Sequence, residues 1–160
     1  SGDWRGYKAH IWEGGHREPL IVRWPGEVAA GESCRHLVGL NDFMATCADI
    51  VGRPLAEGEA EDSTSLLPLL RDPGRGAPVR DSLIHHSHLG VFSIRQGPWK
   101  LIVDCENSGG WPPPRGTGPV EGTPGQLYNL ETDPGECENL WESRPQVVAE
   151  LSKLLDNTRE

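Results

Sequence analysis

Between Val91 and Val103 the chain reads VFSIRQGPWKLIV, two β-prone runs broken at Gln96-Gly97-Pro98. Such a break supplies the tight turn of an antiparallel hairpin, so Val91–Arg95 is predicted to pair with Trp99–Val103. A hairpin alone is marginal in water and needs further strands, or a helix, to cover its apolar face. The neighbouring sequence supplies both. SLIHHS, Ser82 to Ser87, is a preceding extended run, and QLYNL, Gln126 to Leu130, offers a fourth strand. Near the carboxyl end Val147, Val148, Leu151, Leu154 and Leu155 make one apolar stripe at helical spacing, with Ser143 and Gln146 as a capping box and Pro145 in the first turn. That stripe is predicted to lie across the sheet.

The preceding half is organised differently. LIVRW, Leu20 to Trp24, is short, β-branched-rich and bounded by Pro19 and Pro25, which predicts a strand buried on at least one face. HLVGL, His36 to Leu40, reads as a second short extended segment. Asn41 or Asp42 can then cap a core-facing helix in which Phe43, Met44, Cys47, Ile50 and Val51 recur at helical spacing, with Gly52 and Pro54 as the stop. SLLPLLRD, Ser65 to Asp72, predicts one or two further helical turns. The chain thus divides into a 1–80 part and an 81–160 part carrying the small sheet. Its 20 Gly and 14 Pro concentrate turns and loops, most visibly in the long Gly/Pro stretch between Glu106 and Gly125.

Charge narrows the function classes. With 24 Asp and Glu against 15 Lys and Arg, the formal charge is -9, which gives no basic field for a nucleic-acid backbone. No apolar run approaches the roughly 20 residues that span a bilayer, and the start, SGDWRGYKAH, lacks a signal-peptide layout. Cys34, Cys47, Cys105 and Cys137 are widely and irregularly spaced, with no zinc-type CxxC, so free thiols are at least as expected as disulfides. His85 and His86 are adjacent, so on a strand they point to opposite faces and do not serve one site together. A packed or hydrogen-bonded histidine and a residue facing a substrate groove both remain open for each, and no metal site is expected. Trp111, in the Gly/Pro stretch, is either an aromatic platform for a sugar ring or a side chain folded onto the core.

The densest run of chemistry is KAHIWEGGHREPLIVRWPG, Lys8 to Gly26. It resembles the segment of arylsulfatase-type sulfatases that carries a sulfate-contacting lysine, then Glu-Gly-Gly-x-Arg-x-Pro and a strand ending in Trp-Pro-Gly. NDFMATCADIVG, DSTSLLPLL, LIHHSHLGVFSIRQGPWKLI, QLYNLETDPGECENL and the final helix are similar to the carboxyl-terminal part of the same family, in the same order.

The resemblance implies an α/β chain of alkaline-phosphatase-like sulfatase fold, present as its carboxyl-terminal portion. Residues 1–80 would be the end of the catalytic domain, with a segment of its large sheet, and 81–160 a four-stranded antiparallel sheet under a helix. The implied activity is sulfate-ester hydrolysis, on a small sulfate ester or a sulfated carbohydrate. Lys8, five residues before Glu13, would be the catalytic cation, since an ammonium is a compact donor able to bridge sulfate and nucleophile oxygens. Glu13, Gly14, Gly15 and Arg17 would brace the turn that aims it, and His10, His85, His86 and Trp111 are the candidates for substrate contact.

The family's formylglycine nucleophile and the ligands of its calcium ion have no counterpart in this sequence. None of the four cysteines stands in a Cys-x-Pro/Ala-x-Arg context. Catalysis is therefore expected to need an amino-terminal catalytic part. A non-catalytic α+β interaction module is the alternative, self-associating through the exposed edge at Leu20–Trp24; a related phosphatase or phosphonate hydrolase is another. An exported or lysosomal location is implied by the family alone.

Overall fold

The computed structural model describes residues 2–74, 77–105, 107–111 and 122–159. Its elements in chain order are α1 (Glu13–His16), α2 (Asp42–Ile50), α3 (Leu67–Arg71), β1 (Ser82–His86), β2 (Phe92–Gln96), β3 (Trp99–Ile102), β4 (Gln126–Asn129) and α4 (Pro145–Arg159). They fall into two compact units, one of residues 1–18 with 84–160, the other of residues 19–83. One boundary falls between 83 and 84, where the sequence reading put its break between 80 and 81. The first 18 residues, however, join the sheet-bearing unit and leave the segment that follows them in sequence.

In the sheet-bearing unit the strands run in the order β1-β2-β3-β4. β2 and β3 pair antiparallel with Gln96 opposite Trp99, so Gly97 and Pro98 alone make the turn, and Gly97 supplies the φ of +55° that the turn requires. β3 pairs antiparallel with β4, Leu101 opposite Leu127. Both faces of this sheet are covered. On one, Ile94, Leu101 and Leu127 meet Leu151 and Leu155 of α4, with Val147, Val148 and Leu154 alongside. The helix begins at Pro145, and the Ser143 hydroxyl donates back to the Leu140 carbonyl at 3.2 Å. On the other face Ile102 and Tyr128 pack with Ile11, Trp12, Cys105 and Leu130. The amino-terminal segment thus supplies the second layer of the sheet.

The unit of residues 19–83 corrects three expectations. Leu20–Trp24 forms no strand, and Leu20, Ile21 and Val22 are exposed, Ile21 to 89%. His36–Leu40 forms none either. A strand needs a ladder for its backbone groups, and the sheet among the described residues is built from β1 to β4 without these two segments. Helix α2 forms where expected, yet Phe43, Met44, Cys47, Ile50 and Val51 are exposed, Val51 to 74%.

Its buried positions are instead Asp42, Thr46 and Ala48. Asp42 accepts from the backbone N–H groups of Gly39 (2.7 Å) and Thr64 (2.9 Å) and pairs with Arg80, while the Thr46 hydroxyl accepts from Leu66 N–H at 2.8 Å. Hydrogen bonds to the following loop decide which side of α2 is inside. The apolar stripe read from the periodicity is the outer face.

Of the long Gly/Pro stretch, 106 and 112–121 lie outside the described residues. The four cysteines are free thiols, Cys105 buried and Cys34, Cys47 and Cys137 exposed. No helix among the described residues is long and apolar enough to cross a membrane.

Candidate functional site

The Lys8–His16 segment is built around a backbone conformation that its sequence does not favour. Ala9 has φ +83°, a region costly for any residue with a Cβ, and it stays there because its neighbours are tied down on every side. His10 N–H donates to the Tyr7 carbonyl at 3.0 Å, Ile11 N–H to Ser108 O at 2.8 Å, and the Ala9 carbonyl accepts from His88 N–H at 3.1 Å. Ile11 and Trp12 then plunge into the core, fully buried. Trp12 Nε1 donates to Gln126 Oε1 (2.8 Å), and the Gln126 amide donates in turn to the Cys105 and Asn107 carbonyls, both at 2.9 Å. Strand β4 thereby fastens the turn and the loop bearing Trp111 to one side chain.

After Trp12 the chain makes the single helical turn α1. Both its glycines are there for close approach and neither for positive φ: a Cβ on Gly14 would run into the carbonyls of Arg5 and Gly6, and one on Gly15 into the carbonyl of His10. Glu13, at the head of this turn, is buried and bears the densest ion pairing in the unit. Lys100 Nζ lies 3.1 Å from its Oε1, while Arg17 Nη1 (3.2 Å) and Arg95 Nη1 (3.4 Å) approach its Oε2. Lys100 also contacts Glu136 Oε1 at 2.9 Å, and Glu136 Oε2 accepts from the backbone N–H of Glu13 at 2.6 Å. Burial works against the Glu13 carboxylate, but the cations of Lys100, Arg95 and Arg17 outweigh it and hold its pKa below the usual range. For Glu136 burial wins over Lys100, and its pKa is raised.

These elements enclose an open cavity of about 540 Å³ lined by Lys8, Ala9, His10, Gly15, His16, His86, Ser87, His88 and Trp111. Lys8 is exposed at it and makes no ion pair or hydrogen bond among the described residues. His10 is fully buried, and both its ring nitrogens are engaged. Nδ1 accepts from Tyr7 N–H at 3.4 Å, so Nε2 is assigned the proton and donates to the Trp111 carbonyl at 2.9 Å. That makes His10 a fastener of the cavity wall, where sequence had made it a substrate contact.

His86 lines the cavity and His85 does not, as their alternation along β1 requires. His85 packs against His16 with ring centroids 4.9 Å apart and planes tilted by 41°, and among the described residues His16 Nε2 and His85 Nδ1 are buried without a hydrogen-bond partner. Burial first, then Lys100, takes the His16 pKa down to about 4; burial, His16 and Lys100 take that of His85 to about 3. Both imidazoles are neutral near pH 7. Trp111 is half-exposed, with its ring centroid 6.0 Å from that of His88.

Lys100, Glu136, Arg95 and His88 went unsuspected in the sequence. One signal was available for Lys100: it is the only charge within WKLI, a strand otherwise apolar. Among the described residues no group of three or more His, Cys, Asp or Glu side chains is arranged to hold a metal ion, and the buried carboxylates of Glu13 and Glu136 are already matched by Lys100. The described residues therefore do not fit a calcium ion. Among the described residues the cavity offers the Lys8 ammonium, imidazoles and an aromatic plane, groups that can gather a small anion attached to a polar ring.

The fold belongs to one family. The chain is sulfatase-related, matching along nearly its whole length a carboxyl-terminal portion of those proteins. It is 33% identical over 162 aligned positions to an N-acetylgalactosamine-6-O-sulfatase of Bacteroides thetaiotaomicron, covering 99% of this chain and 30% of that protein. To human arylsulfatase A it is 32% identical, over 92% of this chain and 31% of the relative. A solved Bacteroides thetaiotaomicron structure, from work on the metabolism of multiple glycosaminoglycans, superposes with a TM-score of 0.80 at 32% identity, over 98% of this chain and 32% of that one. The chain thus spans about a third of the length of the proteins it matches. No protein-family model matches it.

Proposed function

We propose that this chain is the carboxyl-terminal part of a sulfatase that hydrolyses sulfate esters, in which Lys8 meets the sulfate group. The nucleophile, a formylglycine in this reading, and a calcium ion come from polypeptide upstream. The observation that carries the reading is Lys8 itself, an ammonium at the cavity with no partner among the described residues, on a turn whose backbone is held against its own preference at Ala9. Such preorganised charge stabilises the oxyanion of a transition state because nothing has to reorganise when charge develops. His86 and His88 beside it can hydrogen-bond hydroxyls, and Trp111 offers a plane to a sugar ring, so a sulfated carbohydrate is the substrate class proposed.

The exposed apolar residues of the other unit support the same reading. Leu20, Ile21, Val22, Phe43, Met44, Ile50 and Val51 are exposed. Three of them are consecutive and the others belong to α2 and its C-cap; large apolar side chains left in solvent in such runs suit an interaction site, and the occupant proposed is the upstream catalytic part, since about two thirds of each relative lies outside the matched region.

The test compares the 160 residues with an upstream-extended form on an aryl sulfate, N-acetylgalactosamine 6-sulfate and the corresponding phosphate esters. Sulfatase activity is expected only in the extended form, falling about 100-fold or more in Lys8→Ala, as for loss of one transition-state donor. Activity from the short chain, or an extended form indifferent to Lys8, overturns the proposal. Preference for phosphate esters would move the reading to a phosphatase.

A further inference from the structure

Lys100 is fully buried, in a strand whose other residues are apolar, and it carries its charge between two carboxylates. Burying three ions is expensive, and apolar side chains of similar size would cover the space at least as stably. A buried ionic cluster does what an apolar patch cannot: it accepts only one arrangement of its parts. Here the parts are three segments remote in sequence. Lys100 and Arg95 come from β3 and β2, Glu136 from the loop after β4, and Glu13 from the turn that follows Lys8. Glu136 itself sits at φ +53°, an unfavoured conformation that directs its carboxylate at the Glu13 N–H.

We infer that Lys100 is a positioning residue for the sulfate site: by joining Glu13 to Glu136 it sets the turn that carries Lys8. The inference rests on the sulfatase reading above. Lys100 is not among the residues that line the cavity, so its effect on Lys8 runs through the carboxylates it joins. Displacing that turn by an ångström would move the ammonium off the developing charge, and errors of that size cost on the order of 100-fold in rate. Lys100 also faces the His16–His85 pair, together with Glu13, Arg95 and His86, and favours neutral imidazoles there.

The test uses the active, upstream-extended protein, with rates normalised to folded protein. Lys100→Met is expected to lower kcat about 100-fold, and Lys100→Arg to recover most of it, since a guanidinium can still bridge two carboxylates. The deciding measurement is a double-mutant cycle with Lys8→Ala. If Lys100 acts through the placement of Lys8, removing Lys8 from Lys100→Met costs less than 5-fold; if the two effects multiply, the inference is overturned. Should Lys100→Met fail to fold, Glu136→Gln replaces it in the same cycle with the same two outcomes. An extended protein without sulfatase activity overturns the parent reading and this one together, whereas an active, Lys8-dependent enzyme with independent effects overturns this one only.

Discussion

Glu13 and Lys100 lie 87 positions apart in the sequence and 3.1 Å apart in the fold. Their contact ties the turn after Lys8 to the central strand of the small sheet, and most of what is specific to the site depends on it. Glu13 has three cationic neighbours, but they are unequal. Lys100 is fully buried, whereas the Arg17 side chain is 43% exposed and water screens its pairing.

Removing the carboxylate charge tests that inequality. Glu13→Gln leaves Lys100 buried with one partner and is expected to destabilise the chain by about 3–5 kcal/mol, the usual cost of breaking a buried pair. Arg17→Ala is expected to cost less than about 1 kcal/mol. Urea unfolding of the two variants measures both.

Close approach at α1 makes a second prediction. Gly15→Ala places a methyl group against the His10 carbonyl, and relieving the clash must shift backbone rather than a flexible side chain. Overpacking of this kind is expected to cost about 1–3 kcal/mol. A melting temperature unchanged in Gly15→Ala would show that the turn is looser than described.

Ala9 predicts the opposite sign. Its φ of +83° is available to glycine without a Cβ penalty, so Ala9→Gly relieves local strain while adding freedom to the unfolded chain. The net expectation is a gain of about 0.5–1 kcal/mol on chemical denaturation.

The His16–His85 pair predicts how stability responds to acid. Both pKa values lie below the ordinary 6.5, at about 4 and about 3, so from pH 6.5 downward the unfolded chain binds protons that the folded chain refuses. Stability is complete above about pH 6.5 and falls as pH drops toward 4, continuing toward 3 for His85. Melting curves between pH 7 and 5 should therefore descend, and His85→Phe should flatten the descent.

The exposed apolar residues predict a context effect. In the 160-residue chain Ile21→Glu and Val51→Glu alter exposed positions and are expected to change stability by less than about 0.5 kcal/mol. In the upstream-extended form the same substitutions should destabilise by several times that amount. Equal effects in both forms would remove the support these residues give to an upstream partner.

Local sequence was enough for the hairpin at Gly97-Pro98, the strand β4 and the helix α4, because turn chemistry and periodicity act over a few residues and their partners lie in the same unit. The glycine pair and Lys8 were legible for the same reason: their spacing is local. Periodicity misjudged α2, since its stripe of Phe43, Met44, Ile50 and Val51 showed that one face is apolar without telling what lies against it. Leu20–Trp24 has the composition of a strand and is not part of the sheet found among the described residues.

What only the tertiary structure decided is which distant charges meet. No window of sequence joins Glu13, Lys100 and Glu136, because a buried ion is tolerated only where another segment brings its counter-ion, and that meeting is a property of the folded sheet and loops. Local sequence was enough for the small sheet, for the position of α2 and for α4; the fold determined that Lys8 stands at a cavity with His86, His88 and Trp111, and that His85 turns away from it.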